Sequence, residues 1–151
     1  MKMTPTKANL FMLFKLPLAY FAGVRVVAFD KKSAIVKITH QWINQNPFKS
    51  MFWAAQGMAA EMSTAVLVMN MIKSSSKQFS MLVTNQRASF TKKATGEIRF
   101  ECRDGDLIMR AIQESTKTGE GQVITMRSEG FNLDDVSVCE FHFEWSLKIK
   151  A

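Results

Sequence analysis

Histidine and cysteine are scarce in this chain, two of each among 151 residues, and tyrosine occurs once. His40 and His142 stand far apart in no paired spacing, and no Cys-x-x-Cys occurs, so the sequence offers no metal site. Cys102 and Cys139 both fall on the apolar phase of alternating segments. A thiol there behaves as a small core hydrophobe, and nothing suggests a secreted disulfide scaffold. Long basic runs are also missing. The net charge of +7 permits an anionic partner, whether nucleic acid, a membrane surface or a phosphorylated cofactor, but the scatter of the lysines and arginines places nucleic acid last. There is no internal repeat. With 47% hydrophobic and 22% charged residues, positions 1–151 read as one globular domain with one core.

Proline and glycine are nearly absent from one more place. After Pro47, whose fixed φ suits a helix entry, the chain to Ile72 has no proline and only Gly57, enough for roughly six helical turns. At about 100° per residue Glu61 shares a stripe with Ala54, Gly57, Met58, Thr64, Ala65 and Val68, while Gln56, Ser63 and Asn70 lie roughly opposite among apolar residues. No solvent face emerges, so the helix is expected to be buried. A bilayer is the alternative, since residues 51–72 are long enough to span one. Glu61 near the middle would cost about 2.5–3.5 kcal/mol or more there. The strand-like chain that follows supplies a sheet, and a protein core is favoured.

The N-terminus has the look of a signal peptide, with Lys2 and Lys7 before an apolar run, but Lys15 and Pro17 interrupt it. Leu10, Phe11, Leu13 and Phe14 fit instead a short amphipathic helix packed on the domain within residues 1–22, which implies a cytoplasmic protein. Residues 24–30 and 34–39 are β-branched runs expected as a hairpin, followed by a loop whose Trp42 and Ile43 are expected to pack as a lid. The polar stretch 73–78 reads as a linker. A strand over 80–91 places Leu82, Ala88 and Phe90 on one face. The clearest alternation sets Ile98, Phe100 and Cys102 inward against Glu97, Arg99, Glu101 and Arg103. Residues 104–115 are ambiguous between a short helix and a continued strand, with the helix preferred, and strands over 121–129 and 136–149 close the chain, with His142 on the solvated face. The architecture is α+β: a short N-terminal helix, a hairpin, one long central helix and four further antiparallel strands. An open sheet edge calls for a homodimer.

This order resembles the hotdog fold. Many hotdog acyl-CoA thioesterases, such as those of phenylacetate degradation, carry an Asn six residues before a His-Gly-Gly, with an Asp or Glu nine residues after that His. Asn46, the triplet Phe52-Trp53-Ala54 and Glu61 stand at those spacings, and Phe90, Lys92, Lys93 and Gly96 match the family's strand and basic turn. The resemblance covers roughly residues 22–150. It is most similar to a hotdog branch catalogued as a domain of unknown function. It implies a long helix wrapped by an antiparallel sheet, and a homodimer or tetramer with an acyl-CoA or other acyl thioester as substrate or ligand. No further cofactor, nucleic acid or membrane span is implied. Glu61 and Asn46 would be catalytic, with Glu61 acting across the dimer interface as base or nucleophile. Phe52, Trp53, Ala54, Gly57, Thr64 and Phe90 would line the substrate, and Lys92 and Lys93 would meet coenzyme A phosphates. Phe52 stands where the family has its His, and Trp53 replaces a Gly. An acyl-CoA thioesterase and a non-catalytic binder of acyl chains or acyl-CoA are thus both open.

Overall fold

The computed structural model describes residues 3–75 and 77–150; Lys2 of the N-terminal basic segment and Ser76 of the polar linker lie outside them. Thr4 opens the first helix, α1 (Pro5–Lys15). Its hydroxyl accepts the Lys7 backbone N–H at 3.3 Å, and Pro5 supplies the φ of a first helical position. Pro17 ends α1 by pushing the preceding residue out of helical geometry, and a second helix, α2 (Pro17–Phe21), starts there. The face that α1 buries is not the one its large residues suggested. Ala8 and Met12 are fully buried, whereas Leu10 is 55% and Phe14 71% exposed, with Phe11 also outward. This inner face packs on strand β1 (Arg25–Phe29), and Asn9 bonds to that strand's outer edge. The Val26 N–H donates to Asn9 Oδ1 at 2.8 Å, and Asn9 Nδ2 donates to the Val26 carbonyl at 2.9 Å. One side-chain amide thus takes the place of a neighbouring strand.

From β1 the sheet continues through β2 (Ala34–Thr39), β4 (Glu97–Cys102), β5 (Gln122–Phe131), β6 (Ser137–Ile149) and β3 (Phe79–Phe90), antiparallel throughout. Alternation fixes the register: Ile98, Phe100 and Cys102 are buried opposite Ile38, Val36 and Ala34. Strand β3 departs from expectation. A bulge between Val83 and Asn85 reverses its phase, so Leu82 points outward while Ala88 is half-buried, and Phe90 is exposed. The ambiguous segment is a helix, α4 (Gly105–Thr118), in the connection from β4 to β5. Trp42 and Ile43 do not form a lid. Trp42 is 83% exposed, and the 3-10 turn Trp42–Asn44 buries Asn44, whose Nδ2 donates to the Ala22 and Thr39 carbonyls, each at 2.9 Å.

The long helix, α3 (Trp53–Ser74), lies across one face of the sheet, over β2, β4 and β5. It begins later than Pro47 suggested, because residues 46–52 form a tight loop first. Its sheet-facing side includes Ala55, Gln56, Ala59, Ser63 and Val66, all buried. The expectation of burial all round is corrected: the sheet covers one side only, so Gly57, Met58, Ala65 and Met69 are half-buried and Glu61 is exposed. A long helix wrapped by a six-stranded antiparallel sheet is the hotdog fold, as the resemblance implied. Among the described residues no helix is long and apolar enough to cross a membrane.

Two buried polar contacts pin α3 to the sheet. Ser63 and Ser128 hydroxyls meet at 2.7 Å, and Trp145 Nε1 donates to Thr64 Oγ1 at 3.0 Å. Thr64→Val keeps the shape but leaves the indole N–H buried without an acceptor. It should destabilise the protein by about 1–3 kcal/mol, read as a lower urea midpoint with an unchanged slope. A midpoint equal to the parent's would show that the indole finds another partner.

Candidate functional site

The loop before α3 is built around Asn46. Its Oδ1 accepts the Phe48 N–H at 2.9 Å, and its Nδ2 donates to Ser50 Oγ at 3.0 Å and to the Met51 carbonyl at 3.4 Å. Both amide hydrogens are committed to the loop. Asn46 thus shapes the helix entry, and it also lines the cleft that opens beside it. The loop is fastened on two more sides, since the Phe52 N–H donates to the Asn44 carbonyl and the Met51 N–H to the Ala94 carbonyl, each at 2.8 Å. The second bond brings the Lys92-Lys93-Ala94 turn against the start of α3.

Between loop and turn lies a cleft of about 500 Å³, lined by Asn46, Phe52, Trp53, Gln56, Phe90, Lys92 and Lys93 among others. The Phe52 and Trp53 rings meet edge-on at 5.9 Å, and Phe90 stands edge-on against Phe141 at 5.6 Å. Lys93 Nζ donates to the Phe48 carbonyl at 3.4 Å, tying the basic turn across the mouth. Among the described residues no side chain caps the N-terminus of α3: Phe52 is its N-cap residue, and the Phe52 carbonyl receives the N–H groups of Ala55 and Gln56. Among the described residues the N–H groups of Trp53 and Ala54 have no acceptor, at the positive end of a 22-residue helix. Gln56, also on this cleft, is only 4% exposed. Its Nε2 donates to the Met51 carbonyl at 3.1 Å, while its buried Oε1 has no partner among the described residues. A buried acceptor left unpaired is costly unless something fills it.

Glu61 sits elsewhere. Two turns along α3, about 12 Å from Trp53 by helical rise, it opens into a second cleft of about 350 Å³ with Met58, Met62 and Ala65 on the helix and Lys15 to Ala19 opposite. Its carboxylate reaches solvent, yet the apolar atoms around it desolvate it and hold its pKa above the ordinary carboxylate range. One chain does not bring Glu61 to the cleft at the helix start. Two other expected residues turn away from both clefts. Thr64 is fully buried beneath Trp145, and Gly57 faces Phe141, where an added β-carbon would lie 3.4 Å from the ring; both serve the helix–sheet contact. Ala54 is half-buried and contributes its N–H. Neither cysteine offers a nucleophile, because burial pushes the thiols of Cys102 and Cys139 up to about 12. His142 lies on the outer sheet face beside Glu140, at 3.4 Å.

Sequence reasoning missed Gln56 and the Lys15–Ala19 elbow. Gln56 shares its helix phase with core residues, so only the packed structure reveals its empty acceptor. The elbow is distant in sequence from α3 and carries no motif.

The model of a family described as "Domain of unknown function (DUF4442)" matches residues 6–146. No curated protein matches the sequence. Solved structures share the fold at low identity. A Pseudomonas aeruginosa protein of unknown function, described as a probable thioesterase, is 19% identical with a TM-score of 0.84, covering 99% of each chain. A Haemophilus influenzae thioesterase is 9% identical with a TM-score of 0.76, over 99% of this chain and 93% of the other. The E. coli PaaI protein of the phenylacetic acid degradation operon is 12% identical with a TM-score of 0.65, over 93% and 96%.

Proposed function

This chain belongs to the DUF4442 family, and from that premise we propose that it is a cytoplasmic homodimeric thioesterase-like protein that binds and hydrolyses acyl-CoA thioesters. The observation that carries the reading is the cleft at the start of α3, where two helix N–H groups that have no acceptor among the described residues lie between aromatic walls and a lysine pair. A thioester carbonyl oxygen suits the N–H groups of Trp53 and Ala54, which stabilise the negative charge it develops. Phe52 and Phe90 suit an acyl chain, and Lys92 and Lys93 suit the phosphates.

The base comes from the other subunit. Asn9 occupies the Val26 position of the β1 edge while β3, twelve residues long, is the other outer strand, which supports pairing through β3 and would bring the partner's Glu61 to this cleft. In hydrolysis Glu61 takes a proton from water as the oxygen bonds to the thioester carbon. The C–S bond then breaks, and the departing thiolate receives the proton, giving a free acid and coenzyme A. Phe52 at the family's His position and the bulk of Trp53 favour a second reading, in which the site binds acyl-CoA without turnover.

A panel of acyl-CoA thioesters followed by thiol release separates the two, with turnover expected for at least one acyl group. Binding without release across the panel would leave the binder. Light scattering should give twice the chain mass at micromolar concentration, and a monomer would remove the composite site. Replacing Lys92 and Lys93 with Ala should weaken acyl-CoA binding and flatten its salt dependence with little change in the urea midpoint, since both side chains are exposed and the Lys93 bond to the Phe48 carbonyl is long at 3.4 Å. Unchanged binding would assign the pair to solubility alone.

A further inference from the structure

We propose that the outer face of α1, whose Lys15 also borders the Glu61 cleft, docks this protein onto anionic lipid surfaces. Helical geometry sets Leu10, Phe14 and Phe11 within an arc of about 100°, with Lys7 on the same arc and Lys15 at its margin. All three apolar side chains are exposed, Phe14 most of all, while the helix is anchored from behind by Ala8, Met12 and the two Asn9 bonds. The face is therefore presented on a fixed support. Its role in packing the domain is already taken by the opposite side.

Charge decides what covers it. The first 29 residues contain Lys2, Lys7, Lys15 and Arg25 and no carboxylate, the first acidic residue being Asp30. A second copy seated face to face would set lysine against lysine with no acid in the segment to answer it. Negatively charged headgroups do answer it, and phenylalanine and leucine side chains enter the acyl boundary beneath them. Arg25 takes no part, because its guanidinium lies 3.7 Å over the Tyr20 ring and donates to the Tyr20 and Val24 carbonyls. Stable surface attachment needs an apolar and a basic signal together, and this helix carries both. A helix of 11 residues lies on such a surface and does not cross it.

Sedimentation of the full chain with vesicles of phosphatidylcholine, with and without phosphatidylglycerol, tests the idea. Binding is expected to the anionic vesicles only, with release by salt. The Leu10→Ser/Phe14→Ser variant should keep the parent urea midpoint, because both side chains are exposed, and should partition about tenfold or more weakly. Lys15→Glu should also weaken binding. No sedimentation with anionic vesicles would overturn the proposal. So would equal partition of the serine variant, which would assign binding to net charge. A wild-type assembly that the serine variant reduces in mass would instead assign the face to a second copy.

Discussion

Replacing Glu61 with glutamine should lower thioester hydrolysis by about 100-fold or more, the usual scale for general acid–base catalysis, and leave the fold and acyl-CoA binding largely intact. Glutamine keeps the shape and a hydrogen-bonding end but takes no proton. The carboxylate is suited to the task by two properties seldom found together: it reaches solvent, and its apolar surroundings raise its pKa by desolvation. A base works in its ionised form, so the rate should climb with pH along a limb displaced above the ordinary carboxylate range. Initial rates across pH should show that limb in the parent and lose it in the variant. Folding should respond with the opposite sign. The folded state holds the proton more tightly than the unfolded one, so the stabilisation is fully present at pH below the unfolded pKa and is lost as pH rises through the displaced value. Glu61→Gln should flatten this dependence. Retained turnover in the variant would remove Glu61 from the chemistry.

Replacing Gly105 with alanine should destabilise the protein by about 3 kcal/mol or more, at or beyond the upper end of typical overpacking costs. Gly105 is the first residue of α4, and its N–H donates to the Lys32 carbonyl at 3.0 Å. A β-carbon there would overlap the Lys31 carbonyl oxygen and stand 2.5 Å from Lys32 Cα. Those atoms are backbone and have no rotamer to yield. The turn that holds them is itself braced, with Asp30 Oδ1 accepting the Lys32 and Ser33 N–H groups at 2.7 and 2.8 Å. These bonds hold the Asp30 carboxyl below its ordinary range. A urea midpoint within error of the parent's would mean that the turn and α4 are not clamped together.

What the sequence made legible follows from which forces are local. Period-two alternation with one wet face placed β4 and β6 and their buried residues, because a one-residue slip would expose every one of them. The length and composition of 48–72 revealed the long helix, though not its start, since the Asn46 loop rests on bonds to Asn44 and Ala94 that no local pattern encodes. Periodicity failed on α1, where Leu10 and Phe14 have the right spacing for a core and face away from it, and on β3, where one bulged residue inverted the phase. Of the residues expected at the site, Asn46, Phe52, Trp53, Phe90, Lys92 and Lys93 line one cleft, whereas Thr64 and Gly57 belong to the helix–sheet seam. Gln56 was hidden because an unpaired acceptor is a property of neighbours, not of spacing.

The Asn9 amide on the β1 edge bears on how far this sheet can extend. A sheet with two live edges adds copies at both ends and grows as a ribbon, whereas one with a single live edge is used up by its first partner. Two chains joined through β3 would present only β1 at either extremity, each already occupied by its own Asn9. Rising concentration would then multiply pairs without lengthening them, and one asparagine on a short helix would act as the stop that separates a closed assembly from a fibre.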